Sequence, residues 1–185
     1  MFIRIKKIKN QEYAYLVSNV WKKRKKASRQ KVSRYLGKIY KIHKTKDISL
    51  EEFLKISDMR NYIEKTNFEK IIKDLIKFEL CKLDFQKYTK NIWLLNNFKV
   101  NLKNKTVEDT KTKKRICLEI NNNFLCNYTL SKLLNFSPKK NLTDIQIGKE
   151  LANAFESAGV LVNKEVFVSI AKKILAKLKN TKNRQ

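Results

Sequence analysis

The spacing of apolar residues changes along this chain, and the change limits the folds that it can adopt. Through residues 2–42, apolar and polar residues alternate with a period of two, as in Phe2-Ile-Arg-Ile-Lys-Lys-Ile8. Such alternation is typical of strands with one buried face. Later segments repeat their apolar residues every three or four positions, which is the helical spacing. The sequence therefore predicts an α+β protein.

The alternating region predicts a three-stranded antiparallel meander. The first strand covers residues 2–8, the second runs from Tyr13 to Trp21, and the third runs from Gln30 to Tyr40. The second is rich in aromatic and β-branched residues, which favour strands. Polar residues 9–12 and the charged segment from Lys22 to Arg29 are the predicted turns. Because three strands are marginally stable alone, we expect this sheet to pack on helices.

The rest of the chain predicts helices around one further pair of strands. Residues 47–90 form a neutral helical pair, with capping boxes that begin at Ser49 and Thr66. The buried stripe of the second helix comprises Phe68, Ile71, Ile72, Leu75, Ile76 and Leu80. In residues 91–185, alternation at 98–102 and 116–120 predicts a β-hairpin. Three helices follow, at about 128–136, 144–158 and 164–178, with a capping box at Thr143 and a terminating glycine at Gly159.

We therefore divide the chain into a basic β-sheet module (1–46), a neutral helical pair (47–90) and a hairpin with helices (91–185). No linker rich in Pro, Gly or Ser separates them, so they can form one continuous body.

Positive charge is concentrated at the start of the chain. The net charge is +26, and residues 1–46 contain 16 Lys and Arg against a single acid, Glu12. Residues 47–90 contain 9 basic and 9 acidic residues. A uniform enrichment in lysine would raise the charge throughout, whereas a basic segment beside a neutral one indicates a surface that meets a polyanion.

The candidate nucleic-acid-binding residues lie at the predicted hairpin tip and on the strand after it. They are Lys22, Lys23, Arg24, Lys25, Lys26, Arg29, Gln30, Lys31 and Arg34. Cations at such a tip are expected to contact phosphates, and this binding weakens as salt rises. Gln30 and Arg34 are the candidates for contact with base edges. Aromatic residues that can stack on unpaired bases are interleaved with the cations, namely Tyr13, Tyr15, Trp21 and Tyr35.

Three segments of this region resemble the start of insertion-sequence transposases of the DDE type. They are Tyr13-Ala-Tyr-Leu-Val17, Ser28-Arg-Gln-Lys-Val32 and Tyr35-Leu-Gly37, all within the first 46 residues. The resemblance implies that this N-terminal β-hairpin region contacts DNA, with Arg29, Gln30 and Lys31 as the closest matches. The remaining residues show no pattern of the RNase H-like catalytic domain of that family. The resemblance therefore implies a shared binding module and not transposition.

The sequence contains no arrangement that predicts catalysis, a cofactor or a metal. Its acids occur in helix caps and on helix faces, not as the grouped carboxylates of a two-metal site. His43 is the single histidine, and Cys81, Cys117 and Cys126 lack CxxC spacing. No phosphate-binding glycine loop is present. We therefore expect a protein that is not an enzyme, with no catalytic, cofactor-binding or metal-binding residues.

Non-enzymatic nucleic-acid binding is the favoured function, with DNA slightly ahead of RNA because of the resemblance. The first alternative is an RNA- or ribosome-associated protein, which would expose Tyr13, Tyr15 and Tyr35 to solvent for stacking. The second is a protein-interaction or scaffold subunit whose basic segment meets an acidic partner. A homo-oligomer through the helices of residues 144–178 is a further expectation.

The sequence also predicts a cytoplasmic protein with no membrane partner. Its three cysteines form no disulfide pattern, and its start lacks the apolar core of a signal peptide. No apolar segment reaches the roughly 20 residues that cross a bilayer.

Overall fold

The computed structural model describes residues 1–23, 26–138 and 142–182, and for Lys22 and residues 179–182 it describes the backbone alone. These ranges confirm the α+β class. The strands are β1 (Phe2–Ile8), β2 (Gln11–Lys22), β3 (Ala27–Lys41), β4 (Gln86–Lys87), β5 (Ile92–Leu95), β6 (Phe98–Asn101), β7 (Thr106–Asp109), β8 (Ile116–Ile120) and β9 (Asn123–Leu125). The helices are α1 (Leu50–Leu54), α2 (Met59–Lys65), α3 (Phe68–Lys82), α4 (Asn127–Leu134), α5 (Asp144–Ser157) and α6 (Lys164–Lys182).

The strands form two sheets, one with the order β1-β2-β3-β8-β9 and one with the order β4-β5-β6-β7. Strands β1 to β3 are the predicted antiparallel meander. Strand β3 also pairs in parallel with β8, from Lys38 opposite Ile116 to Lys41 opposite Glu119. This parallel pair joins the N-terminal meander to a strand far downstream in the chain.

The predicted pairing of residues 98–102 with 116–120 is wrong, because the two segments lie in different sheets. Strand β6 pairs with β5 and β7, and β8 pairs with β3 and β9. The physical reason is burial: four of the five residues of β8 are buried, on both of its faces. A strand buried on both faces belongs between two neighbours.

Two hydrophobic cores lie on opposite sides of the first sheet. The larger core joins the buried stripe of α3 to the second sheet, to Ile116 and Leu118 of β8, and to helices α4, α5 and α6. The smaller core consists of Ala14, Leu16, Leu36, Ile39, Cys117 and Cys126, with Ile3, Phe124 and Tyr128 at its margin. The inner end of the meander therefore packs on β9 and the start of α4 on this side of the sheet, and Tyr40 of β3 packs against the main core on the other side.

The helix-start signals were partly right. Ser49 accepts a hydrogen bond from the Glu52 amide at the start of α1, and Thr143 forms the predicted capping box with Gln146. The predicted cap at Thr66 is wrong, because Thr66 ends the unforeseen helix α2. The side chain of Asn67 instead caps α3 by accepting from the Lys70 amide.

Glu79 is a buried carboxylate that connects three parts of the fold. Its side chain is 1% exposed and forms an ion pair of 2.7 Å with Lys82 on the same helix. It also accepts hydrogen bonds from the side-chain amide of Asn121 (3.2 Å) and from the backbone amide of Leu161 (3.3 Å). These partners lie in the β8–β9 turn and in the segment after α5, so Glu79 fixes both against α3.

Two further observations bear on function. Among residues 1–23, 26–138 and 142–182, no three or more His, Cys, Asp and Glu side chains gather in a way that would hold a metal ion. Every helix in these same ranges is too short or too polar to cross a membrane.

Candidate nucleic-acid interface

The outer ends of β2 and β3 form a two-stranded arm, which we define as residues 18–23 and 26–34. Strand β1 pairs with β2 only as far as Val17, opposite Phe2. Beyond this point β2 and β3 pair with each other alone, from Ser18 opposite Lys31 to Lys22 opposite Ala27. All residues from 26 to 35 are exposed. The arm therefore meets solvent on both faces.

Local sequence explains why the arm is a hairpin. Its strands carry the β-branched residues Val20 and Val32, and Lys26 turns the chain with a φ of 43° while its amide donates to the Lys23 carbonyl (3.3 Å). Arg24 and Lys25, both predicted site residues, lie outside the described residues, as does the side chain of Lys22. Lys23 and Lys26 are exposed at the turn, as predicted.

The predicted turn is longer than the observed one, because β3 begins at Ala27. Arg29 is therefore a strand residue and not a residue of the tip. Two bulges also interrupt the pairing of β3 with β2, since Ser33 and Leu36 have no partner in the register. Bulges increase local twist, and they decide which side chains of β3 share a face.

Arg29, Lys31 and Arg34 share one face of the arm, which we call the cationic face. Their partners in β2 are even-numbered residues, and alternate residues of a strand point to the same side. These partners are Val20, Ser18 and Leu16 in that order. Nothing in the sequence between Glu12 and Asp47 is acidic, and none of the three cations pairs with a described carboxylate. Their charge is therefore available to a ligand.

Gln30 and Arg34, the two candidates for contact with base edges, lie on opposite faces of the arm. Gln30 pairs with Asn19, and its side-chain oxygen accepts a hydrogen bond from Arg4 of β1 (2.5 Å). The reason is the bulge at Ser33, which shifts the register by one residue and places Arg34 with Lys31. The predicted site residues are thus divided between two faces.

The second face, which we call the tyrosine face, carries aromatic and cationic residues in rows across β1, β2 and β3. The rows are Lys6, Tyr13 and Lys38; then Arg4, Tyr15 and Tyr35; then Phe2, Val17 and Val32. The ring centroids of Tyr35 and Tyr15 are 5.4 Å apart, and those of Tyr35 and Tyr13 are 6.3 Å apart. Tyr35 is 47% exposed. The three tyrosines pack on one another and belong to neither hydrophobic core.

The Tyr35 phenol stays neutral at physiological pH. Burial raises the pKa of Tyr35 above its ordinary value, and the neighbouring Tyr15 and Tyr13 raise it further. At the inner boundary of the face, the Lys38 ammonium lies 4.9 Å from the centroid of the Tyr40 ring, and Tyr40 packs on Phe98 of the second sheet. The tyrosine face therefore begins where the main core ends.

A second basic segment lies beside the base of the arm. Residues 111–115 contain three lysines and Arg115, all exposed, and lead directly into β8. Because Ile116 pairs with Lys38, this segment reaches the same end of the sheet as the first row of the tyrosine face. The structure thus brings together two basic regions that are distant in the sequence.

Sequence reasoning missed Arg4, Lys6 and Lys38 as candidate site residues. Alternation in β1 does place Arg4 and Lys6 on one face, but it does not reveal which residues of β2 lie opposite them. Only the register shows that Lys6 and Lys38 flank Tyr13. Among protein-family models, curated proteins and solved structures, none matches this chain, so a functional assignment depends on the geometry of these two faces.

Proposed function

We propose that this protein binds nucleic acid through the phosphate backbone, with the cations of the arm, and that it does so without catalysing a reaction. The observation that carries the proposal is the cationic face, where Arg29, Lys31 and Arg34 are exposed along one side of the arm. Lys23 and Lys26 extend the positive charge to the turn. A row of this kind can follow successive phosphates and release their condensed counterions.

The acidic residues support a binding role over a catalytic one because several are already engaged in the scaffold. Asp74 accepts a hydrogen bond from Tyr62 (2.8 Å) and pairs with Lys77 (2.7 Å). Glu12, the acid nearest to the arm in the sequence, lies 3.9 Å from Lys41 at the base of the sheet. Carboxylates held in this way stabilise the fold and leave the arm with uncompensated positive charge.

The first test is the salt dependence of binding to a fluorescently labelled DNA duplex, measured by anisotropy between about 50 and 200 mM salt. For the wild-type protein, the logarithm of the affinity should fall linearly and steeply with the logarithm of the salt concentration. Arg29→Gln, Lys31→Gln and Arg34→Gln combined should weaken binding at least about tenfold and reduce the slope by about three, one for each lost phosphate contact.

The matched control removes three exposed lysines elsewhere, with Lys87→Gln, Lys90→Gln and Lys103→Gln. These residues lie in or next to the second sheet and are exposed. Equal losses of duplex affinity in both triple variants would show that binding depends on net charge and not on a site in the arm. A wild-type affinity that barely changes with salt would contradict the phosphate contact altogether.

An acidic protein partner is the competing proposal for the same cations. It is tested by adding polyglutamate to the protein–duplex complex at matched charge concentration. Displacement by polyglutamate as effective as that by unlabelled duplex would favour the acidic partner, whereas poor displacement would favour nucleic acid. DNA is the ligand that the resemblance of the first 46 residues implies, and the exposed ring of Tyr35 is the observation that favours RNA or another single strand.

A further inference from the structure

We infer that the tyrosine face binds the unpaired bases of a single-stranded nucleic acid. This binding would give the protein a preference for single strands over duplexes, which the cationic face does not supply. This inference rests on the proposed nucleic-acid binding and adds a second surface to it. Its starting observation is that Tyr13, Tyr15 and Tyr35 form a cluster that belongs to neither hydrophobic core, with Tyr35 47% exposed. Trp21, which is 62% exposed, lies on the same side further out.

The aromatic rings of the tyrosine face differ from other ring pairs of the molecule in what they pack against. Tyr40 with Phe98, Phe68 with Phe136 and Phe155 with Phe167 all pack against the main core. The ring of Tyr35 packs on Tyr13 and Tyr15 and keeps about half of its surface in water. A ring with one free face is what stacking on a base requires.

Cations stand next to these rings in the register. Lys6 and Lys38 lie on either side of Tyr13, and Arg4 lies beside Tyr15. Neighbouring strands are ~4.8 Å apart and successive rows on one face are ~6.7 Å apart, so each ring has a cation within the dimensions of one nucleotide. A strand laid on this face can therefore place a base on a ring and its phosphate on a cation.

The chemistry of the face also selects between single and double strands. In a duplex the flat faces of the bases are stacked on one another and are not available to protein rings. In a single strand they are available, and every base has such a face, so stacking on tyrosine tolerates any sequence.

The hydrogen bond from Arg4 to Gln30 lies on the same side of the sheet and holds the base of the arm to β1. No comparable ring lies among the exposed residues of the cationic face.

The experiment compares Tyr35→Ala and Tyr35→Phe with the wild type in binding to oligo-dT, to oligo-U and to a DNA duplex. Tyr35→Ala should lower the affinity for single strands about 5- to 150-fold, which is the range for one lost base stack. Tyr35→Phe, which keeps the ring, should bind as the wild type does. The duplex affinity of all three proteins should agree within about twofold, because duplex binding depends on the cationic face. Oligo-dT and oligo-U differ in the 2′-hydroxyl and in the C5 methyl group of the base, so oligo-dU, which shares uracil with oligo-U, is included to identify DNA or RNA as the preferred strand.

Tyr88→Ala is the matched control, since Tyr88 is 71% exposed and lies at the second sheet. This variant should bind single strands and the duplex with wild-type affinity. Tyr35→Leu is a second variant, because it keeps apolar volume on the sheet without a ring, and it should resemble Tyr35→Ala. Retained single-strand affinity in both ring-less variants would overturn the inference, as would an equal loss for duplex and single strands. Conversion of a dimer to a monomer by Tyr35→Ala would also overturn it, because a second copy would then be the occupant.

The two proposals can fail separately. If the variants of Arg29, Lys31 and Arg34 lose binding to every nucleic acid while those of Tyr35 lose none, only the single-strand inference is wrong. If the wild-type protein binds neither duplex nor single strands, the proposed function itself is wrong.

Discussion

Gly37, the last residue of the Tyr-Leu-Gly segment, shows how a single position controls the base of the arm. Its φ of +145° lies in a region that residues with a side chain rarely adopt. A Cβ added there would lie 2.7 Å from the Arg115 carbonyl oxygen and 2.7 Å from the Ile116 Cα. Glycine is therefore required where β3 passes the start of β8, and the role of this residue is structural.

Gly37→Ala should lower the free energy of unfolding by ~2 kcal/mol or more, because both backbone strain and overlap with β8 must be relieved. The measurement is urea denaturation followed by circular dichroism. Gly148→Ala is the control, since an added Cβ at that helical position meets nothing within 4 Å. It should stabilise the protein by up to ~1 kcal/mol, because alanine is the better helix former. An unchanged free energy of unfolding in Gly37→Ala would contradict the close approach of β3 and β8.

At the scale of single elements, two of the ion pairs of helix α3 have very different surroundings. Glu79 and Lys82 are almost fully buried, with 1% and 10% of their side chains exposed. Glu69 and Lys73 form a pair of 2.5 Å on the same helix, but the Glu69 side chain is 65% exposed. Water screens the second pair and not the first, so their contributions to stability should differ although their geometry is similar.

Glu79→Ala should therefore destabilise the protein by ~3–5 kcal/mol, because it leaves the Lys82 ammonium buried without a carboxylate. Glu69→Ala should cost less than ~1 kcal/mol. Thermal and urea unfolding of both variants provide the comparison. Similar losses in the two variants would mean that Glu79 does not hold the turn at Asn121 and the backbone at Leu161 in place.

The same elements show what the sequence could predict. Helix α3, its buried stripe and the three-stranded meander were predictable, since each is governed by local spacing of apolar residues. The pairing of β3 with β8 was not, because a parallel pair between distant segments has no local signal. The division of Arg34 and Gln30 between two faces was also hidden, since it depends on a bulge at Ser33 that only the register reveals.

At the scale of the whole molecule, the proposed binding surface and the main core are separate regions, and each contains one of the two tryptophans. Trp21 lies near the outer end of β2 and is 62% exposed, whereas Trp93 is in the main core and is 5% exposed. A ligand on the arm changes the surroundings of Trp21 alone, and unfolding of the core changes those of Trp93.

We therefore expect a single-stranded oligonucleotide to quench the emission of the wild-type protein and of Trp93→Phe, but not that of Trp21→Phe. Fluorescence titration at low salt is the measurement, with urea unfolding of each variant as the control for Trp93. Quenching that persists in Trp21→Phe would place the ligand away from the arm. It would then contradict the proposed separation of the binding surface from the main core.

The parallel pairing of β3 with β8 has a consequence for the newly made chain. Lys38 leaves the ribosome long before Ile116, and at about 5–20 residues per second the interval is several seconds. Throughout that time β3 presents an open edge, and Leu36 and Ile39 lack the Cys117 and Cys126 side chains that later cover them. The cations of the nascent hairpin are already present in this interval, so like-charge repulsion between neighbouring nascent chains can protect the open edge until β8 arrives.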